Sequence, residues 1–369
     1  MIPYGKQYLN QYDINAVVEV LKSDYLTTGS KVQEFEEKFA NYVGSKYAIS
    51  VSSGTAALHL ACLVSDIKSN DEVITSPMTF SASANCIEYV GGITVFADIK
   101  QSGNINSQEI RWQITKNTKV IIPVHYSGLP CNLEEIKKIA LEYNLIIIED
   151  GCHALGAEYK NSKIGSCKYS DMTVFSFHPV KHITTGEGGM ITTNSEKLYR
   201  KLCVLRSHGI ERYEDWFYDI KKLGFNYRLT DIQCGLGISQ LDKLNGFIKT
   251  RKNIANKYNE AFKNLPIDLP ICTNKYNNSY HLYVIKLHNN AKINRGELYL
   301  KLKEKGILCQ VHYMPVHTFT YYQNKYNYKW NDFPVAEDYY NRCLSLPIYP
   351  TMSDKDINKV INSIQEILI

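Results

Sequence analysis

The chain has 369 residues, 44% of them hydrophobic and 21% charged, with 42 basic and 37 acidic side chains and a formal net charge of +5. That length exceeds what one hydrophobic core usually supports, the composition excludes extensive disorder, and no run of like charges points to nucleic acid. The amino end lacks an apolar signal core and no stretch is apolar for the roughly 18 to 20 residues of a membrane span, so a folded, cytoplasmic, two-domain protein is expected.

Short apolar runs alternate with helical stretches along the first two thirds. Ser30 with Gln33 reads as a capping box ahead of a helical run through Tyr42. Strands are predicted at 47–51, 72–75, 94–98, 120–125, 145–150, 172–177 and 190–193, several rich in branched residues, with helices at 55–64 and 133–143 among them. This alternation is that of an α/β fold with one large, mostly parallel sheet and crossover helices. Beyond Thr230 a helical stretch at 241–262 runs until Pro266 and Pro270 interrupt it, which places a domain boundary near residue 250. A large domain over 1–250 and a smaller C-terminal α+β domain over 251–369 follow, the second carrying a strand at 281–287, a helix at 295–305 and the segment Gln310-Val311-His312-Tyr313. Ten cysteines (Cys62, Cys86, Cys131, Cys152, Cys167, Cys203, Cys234, Cys272, Cys309, Cys343) are scattered without close pairs, so reduced thiols are expected rather than a zinc site or disulfides.

In open α/β sheets ligands bind beyond the carboxyl ends of the strands. After Val51 comes Ser52-Ser53-Gly54-Thr55-Ala56-Ala57-Leu58, a small-residue turn into a helix whose free N–H groups suit a phosphate; an ordinary capped helix start has the same pattern. After the run 145–148 come Glu149 and Asp150, then Gly151-Cys152-His153; an acid there either caps the next turn or pairs with a cationic ring nitrogen. The most specific passage is Ser176-Phe177-His178-Pro179-Val180-Lys181, followed by Gly186-Glu187-Gly188-Gly189. A lysine just beyond a strand, ahead of a turn whose glycines let backbone crowd a ligand, suits an amine of depressed pKa that holds a carbonyl cofactor such as pyridoxal 5'-phosphate. Phe80, after the strand at 72–75, could stack on a flat ring, although a core role is commoner. His178 and His182 stand four apart, but Pro179 breaks the helix face and no third ligand is spaced to complete a metal site; no metal is expected.

These passages, in this order, resemble the DegT/DnrJ/EryC1/StrS sugar aminotransferases over nearly the whole chain. The resemblance implies the fold of a PLP-dependent transferase of the aspartate aminotransferase type (fold type I). It also implies Lys181 as the Schiff-base lysine, Asp150 as the partner of the pyridine nitrogen, and His153 and Phe80 as neighbours of the cofactor ring. Thr55, Ala56 and Ser176 would bind its phosphate, and Gly54 and His178 would also be cofactor-binding residues. Asn226, in Gly224-Phe225-Asn226-Tyr227, would reach the site of a second subunit, so a homodimer with shared sites is implied. Leu26-Thr27-Thr28-Gly29, Lys181-His182-Ile183-Thr184-Thr185 and Gln310-Val311-His312-Tyr313 resemble the branch serving pseudaminic acid biosynthesis. That branch moves an amino group, from glutamate in this reading, to the C4 keto group of a UDP-linked 4-keto-6-deoxy-N-acetyl hexose. His312 and Tyr313 would meet the sugar. The rivals are a transaminase for another nucleotide-linked 3- or 4-keto sugar, a dehydratase of the same fold, which carries histidine where Lys181 stands, and a non-catalytic regulator.

Overall fold

The computed structural model describes residues 1–271 and 276–369, so Cys272 lies outside the described residues. The elements run α1 (Gln11–Leu21), α2 (Ser30–Val43), β1 (Tyr47–Val51), α3 (Gly54–Val64), β2 (Glu72–Thr75), α4 (Ala82–Tyr89), β3 (Ile93–Phe96), α5 (Ser107–Gln113), β4 (Thr118–Ile122), α6 (Leu133–Tyr143) and β5 (Ile146–Asp150). Two short strands, β6 (Glu158–Tyr159) and β7 (Ser162–Lys163), precede β8 (Met172–Ser176), β9 (Gly189–Thr193), α7 (Glu196–Arg206) and the hairpin β10 (Ile210–Arg212) and β11 (Tyr218–Ile220). The 32-residue helix α8 (Asp231–Phe262) leads into β12 (Ile267–Asp268), β13 (Tyr276–Asn277), β14 (Tyr283–Leu287), α9 (Arg295–Glu304), α10 (Thr320–Tyr326), α11 (Pro334–Arg342), β15 (Cys343–Leu346) and α12 (Asp354–Leu368).

Seven strands form one sheet in the order β1-β9-β8-β5-β4-β2-β3, in which only β9 runs antiparallel to its neighbours. Both faces are covered, so the strands read as continuous apolar runs: Ile147 packs with Phe35, Phe39 and Phe175 on one side, and Ile148 with Leu58 and Val174 on the other. Each such buried side chain contributes about 1.5–3 kcal/mol of burial free energy. Two predicted strands end two or three residues early. Pro123, with no N–H, closes β4, and Asp98 leaves β3 to cap α11, accepting from the Val335 and Ala336 amides at 2.9 and 3.0 Å.

The capping box expected at Ser30 is not made, since Ser30 is already helical and contributes no side-chain cap. The Asp231 carboxylate, 1% exposed, accepts instead from the Gly29 and Lys31 amides at 2.7 and 2.9 Å, because a buried charge at a helix N-terminus is a stronger acceptor than a hydroxyl. Asp231 also begins α8, ten residues before the predicted stretch. Gly235 and Gly237 lower the helix propensity there, yet they admit α1 and α2: a Cβ at these positions would lie 2.8 Å from Val20 and 2.7 Å from the Phe35 ring.

Helix α8 passes from one core to another. Leu241, Leu244 and Ile248 belong to the sheet core, while Ile254, Tyr258 and Phe262 pack with Tyr283, Ile285, Leu344 and Ile364. Between them the buried Arg251 donates from Nη1 to the carbonyls of Tyr280, His281 and Ile348 at 3.3, 3.2 and 2.8 Å. Cysteines far apart in sequence meet in space as buried free thiols, the Cys62 and Cys86 sulfurs being 3.6 Å apart. Among the described residues no helix is long and apolar enough to cross a membrane.

Candidate active site

A cavity of about 400 Å³ opens where the carboxyl ends of the parallel strands meet the segment 312–313. Strand alternation sorts the acids at the end of β5. Glu149 is turned away and held by His125 Nε2 at 2.7 Å, whereas Asp150 lines the cavity and is 5% exposed. Asp150 Oδ1 accepts from the Cys152 N–H at 3.0 Å and Oδ2 from the Ser83 hydroxyl at 2.6 Å. Lys181 lies in the connection between β8 and β9, partly exposed, and lines the cavity. Burial pushes its amine below the ordinary lysine value, partly offset by Cys152 and Asp150. Among the described residues Lys181 Nζ has no hydrogen-bond partner.

The turn into α3 forms one end of the cavity. Ser53 caps the helix by accepting from the Ala56 N–H at 3.0 Å, so Ala56 is buried, its amide is already used, and it does not reach the cavity as expected. Gly54, Thr55 and Ser176 do line it, and α3 presents its positive end there. The glycines serve backbone approach. A Cβ on Gly54 would lie 2.8 Å from Ser176 Cβ, and one on Gly189 would lie 2.5 Å from the Ser53 carbonyl oxygen. The expectation was that glycines 186–189 crowd a ligand; Gly189 instead lets β9 press on the turn that carries Ser53 and Gly54.

Imidazoles and phenols build the remaining walls. His153 Nε2 bonds the Tyr313 hydroxyl at 3.0 Å, with the ring planes 25° apart, and Phe80 stands 6.3 Å from Tyr313. His281 packs on His153 at 4.3 Å and His182 on His281 at 5.6 Å. His312 Nδ1 bonds Ser345 Oγ at 2.8 Å. Burial, and the neighbouring Lys181 charge, holds His153 and His281 well below the usual histidine value and His312 down at about 3. His182 is held as low by burial and by Arg251. Among the described residues His153 Nδ1 is buried without a partner.

Of the residues singled out from sequence, the structure gathers Gly54, Thr55, Phe80, Asp150, His153, Ser176, His178, Lys181, His312 and Tyr313 around one cavity. Asn226 is exposed and lies outside the lining of its own chain's cavity. His178 is exposed at the cavity while His182 is buried and bonds the Ser279 carbonyl at 3.3 Å. Sequence reasoning missed Tyr4, which lines the cavity with its ring 5.5 Å from His312. It is carried there by Ile2, whose backbone pairs with Gly306 and Leu308, and by its own carbonyl, which accepts from Ile348 N. Ser83 and His281 were missed as well; their contacts are tertiary and leave no local pattern.

The sequence pattern that defines the DegT/DnrJ/EryC1/StrS aminotransferase family matches residues 7–365. The chain is 40% identical to the spore coat polysaccharide biosynthesis protein SpsC of Bacillus subtilis, over 100% of this chain and 97% of that one. It is 39% identical to the UDP-4-amino-4,6-dideoxy-N-acetyl-beta-L-altrosamine transaminase of Campylobacter jejuni, covering 100% and 98%. Among solved structures it is similar to Helicobacter pylori PseC, an aminotransferase involved in pseudaminic acid biosynthesis (TM-score 0.95, 34% identity, 100% and 99% covered). It is also similar to a Streptococcus pneumoniae protein described as a sugar aminotransferase, in its PLP form (TM-score 0.94, 30% identity, 99% and 98% covered).

Proposed function

The chain belongs to the DegT/DnrJ/EryC1/StrS aminotransferase family, whose members use pyridoxal 5'-phosphate, and from that premise we propose that it aminates the C4 keto group of a UDP-linked 4-keto-6-deoxy-N-acetyl hexose with nitrogen from glutamate, in pseudaminic acid biosynthesis. The observation that carries the reading is Lys181 and Asp150 opening into one cavity of about 400 Å³. The donor set fits the cofactor. A buried amine without a hydrogen-bond partner, a carboxylate held by two donors, a helix N-terminus beside Ser176 and the orphaned His153 Nδ1 match a carbonyl, a ring nitrogen, a phosphate and a polar ring edge.

When bound, pyridoxal phosphate supplies a carbonyl carbon that takes up the amino group and a cationic ring that accepts the electrons of a broken C–H bond. Lys181 Nζ holds the cofactor at rest, its depressed pKa keeping more of the amine neutral. Released, the same atom takes a proton from the donor's Cα and returns one to the sugar carbon, a general base and then a general acid. Asp150 keeps a proton on the ring nitrogen. Gly54, Thr55 and Ser176 bind the phosphate, Phe80 and His153 flank the ring, His178 stands at the cofactor, and Tyr313 holds His153 in place while facing the sugar with His312. Asn226 serves a second subunit of a homodimer, a role supported by its exposure outside its own chain's cavity.

Incubation with glutamate and a panel of UDP- and dTDP-linked keto sugars, read by product mass, tests the assignment: amination of the UDP-linked N-acetyl 4-keto sugar alone is expected. The 40% identity to SpsC, a protein of spore coat polysaccharide biosynthesis, favours keeping a second reading, another nucleotide-linked 3- or 4-keto sugar, which a product from a dTDP substrate alone would select. A purified protein that binds no cofactor and forms no product would refute both.

A further inference from the structure

Two hydroxyls that the reaction scheme above does not use stand behind Asp150. Ser83, in the first turn of α4, and Thr79, just before that helix, are 1% and 2% exposed. Their oxygens are 2.8 Å apart, and Ser83 Oγ is 2.6 Å from Asp150 Oδ2. A serine hydroxyl has one proton. With Asp150 ionised, that proton is given to Oδ2, so the Thr79 hydroxyl must donate to Ser83. The chain of donors therefore has one direction, Thr79 to Ser83 to Asp150, and each bond polarises the next.

We propose that Ser83 is a positioning residue for amino transfer: its hydroxyl, backed by Thr79, fixes the Asp150 carboxylate in the orientation that meets the cofactor's ring nitrogen. The inference rests on the reading that Asp150 faces that nitrogen. The Cys152 N–H occupies Oδ1 at 3.0 Å, so the two donors fix both rotation and tilt of the carboxylate. Without Ser83 the carboxylate can turn away, its ion pair with the ring nitrogen weakens, and the ring is a weaker electron acceptor. Glu149, on the neighbouring position of the same strand, is held in parallel fashion by His125 and Ser170, but faces away from the cavity and has no such consequence.

The test uses holoenzyme reconstituted with cofactor labelled with nitrogen-15 in the ring. In Ser83→Ala the ring-nitrogen resonance should move from the protonated towards the neutral range, with its pH midpoint lowered. The kcat should fall about tenfold with KM changed by less than about twofold, as for loss of one hydrogen bond to a charged group. Thr79→Val, nearly isosteric, should move the resonance the same way by less. If Ser83→Ala does not fold, Ser83→Cys, which fills the space and donates weakly, takes the same measurement. A Ser83→Ala resonance and pH course identical to wild type, while Asp150→Asn shifts them, overturns the inference and leaves Asp150 in its role. An unshifted resonance in Asp150→Asn overturns both.

Discussion

Replacing Gly189 by alanine adds one methyl group to the strand that presses on the turn at Ser53 and Gly54. Its Cβ would stand 2.5 Å from the Ser53 carbonyl oxygen and 2.9 Å from the Gly54 nitrogen, both backbone atoms that no rotamer change can move. A carbon rests about 3.3 Å from a carbonyl oxygen, so β9 and the turn must separate by about 0.8 Å. Such overpacking costs about 1–3 kcal/mol. At about 2.1 cal/mol/K of unfolding entropy per residue, that lowers the Tm of a chain this size by roughly 1 to 4 °C. The larger effect is functional, because the displaced turn is the proposed phosphate cradle: a shift near 1 Å should lower kcat/KM by about 10- to 100-fold, with weaker cofactor binding. Absorbance titration with cofactor, steady-state kinetics and thermal unfolding read the three quantities. Gly246→Ala is the control; it lies in α8 with open space around it, and should gain up to about 1 kcal/mol of helix propensity with activity unchanged. Wild-type affinity and rate in Gly189→Ala would refute the claim that this contact shapes the cradle.

Lys181→Ala should abolish the borohydride-trappable cofactor adduct and cut turnover by about 10⁴-fold or more; a variant that still turns over removes Lys181 from its role. In the cofactor-free protein, burial keeps Lys181 below the ordinary value of 10.5. Between the lowered value and 10.5 the unfolded chain therefore binds more protons, and stability gained from this residue rises with pH. Denaturant titrations of wild type and Lys181→Met across that window should differ in slope, wild type being steeper; parallel curves would contradict the burial argument. Asp150→Asn should retain cofactor but lose about 10²- to 10³-fold in kcat, and near-normal turnover would unseat it. Asp231→Ala strips the acceptor from two amides at the start of α2 and should cost about 2–3 kcal/mol, readable as a shifted urea midpoint; an unshifted midpoint would show that the cap contributes nothing.

Much of the architecture was legible because the sheet is buried on both faces, so its strands stand out as branched apolar runs such as 145–148. Strand direction was not, and the antiparallel β9 carries no mark of its orientation in Gly189–Thr193. The first third of α8 was hidden by Gly235 and Gly237, whose purpose is visible only once Val20 and Phe35 are in place against them. Ser30 suggested a cap that a carboxylate some 200 residues away supplies, since local pattern cannot register a distant competitor. The site divides in the same way. Lys181, Asp150 and the turn at Gly54 follow strand ends and could be read in order. Tyr4, Ser83 and His281 arrive by pairing and packing across the fold.

The four imidazoles around Lys181 have a physiological corollary. Histidine is the side chain that ordinarily changes charge between pH 5 and 8, yet burial pushes His153, His182 and His281 well below its usual value and His312 down to about 3. Protonating any one of them would set a second cation inside the same enclosure. These rings thus furnish shape and aromatic surface, His153 and His312 on the cavity wall with His281 packed on His153 and His182 on His281, in an enclosure where taking up a proton is disfavoured.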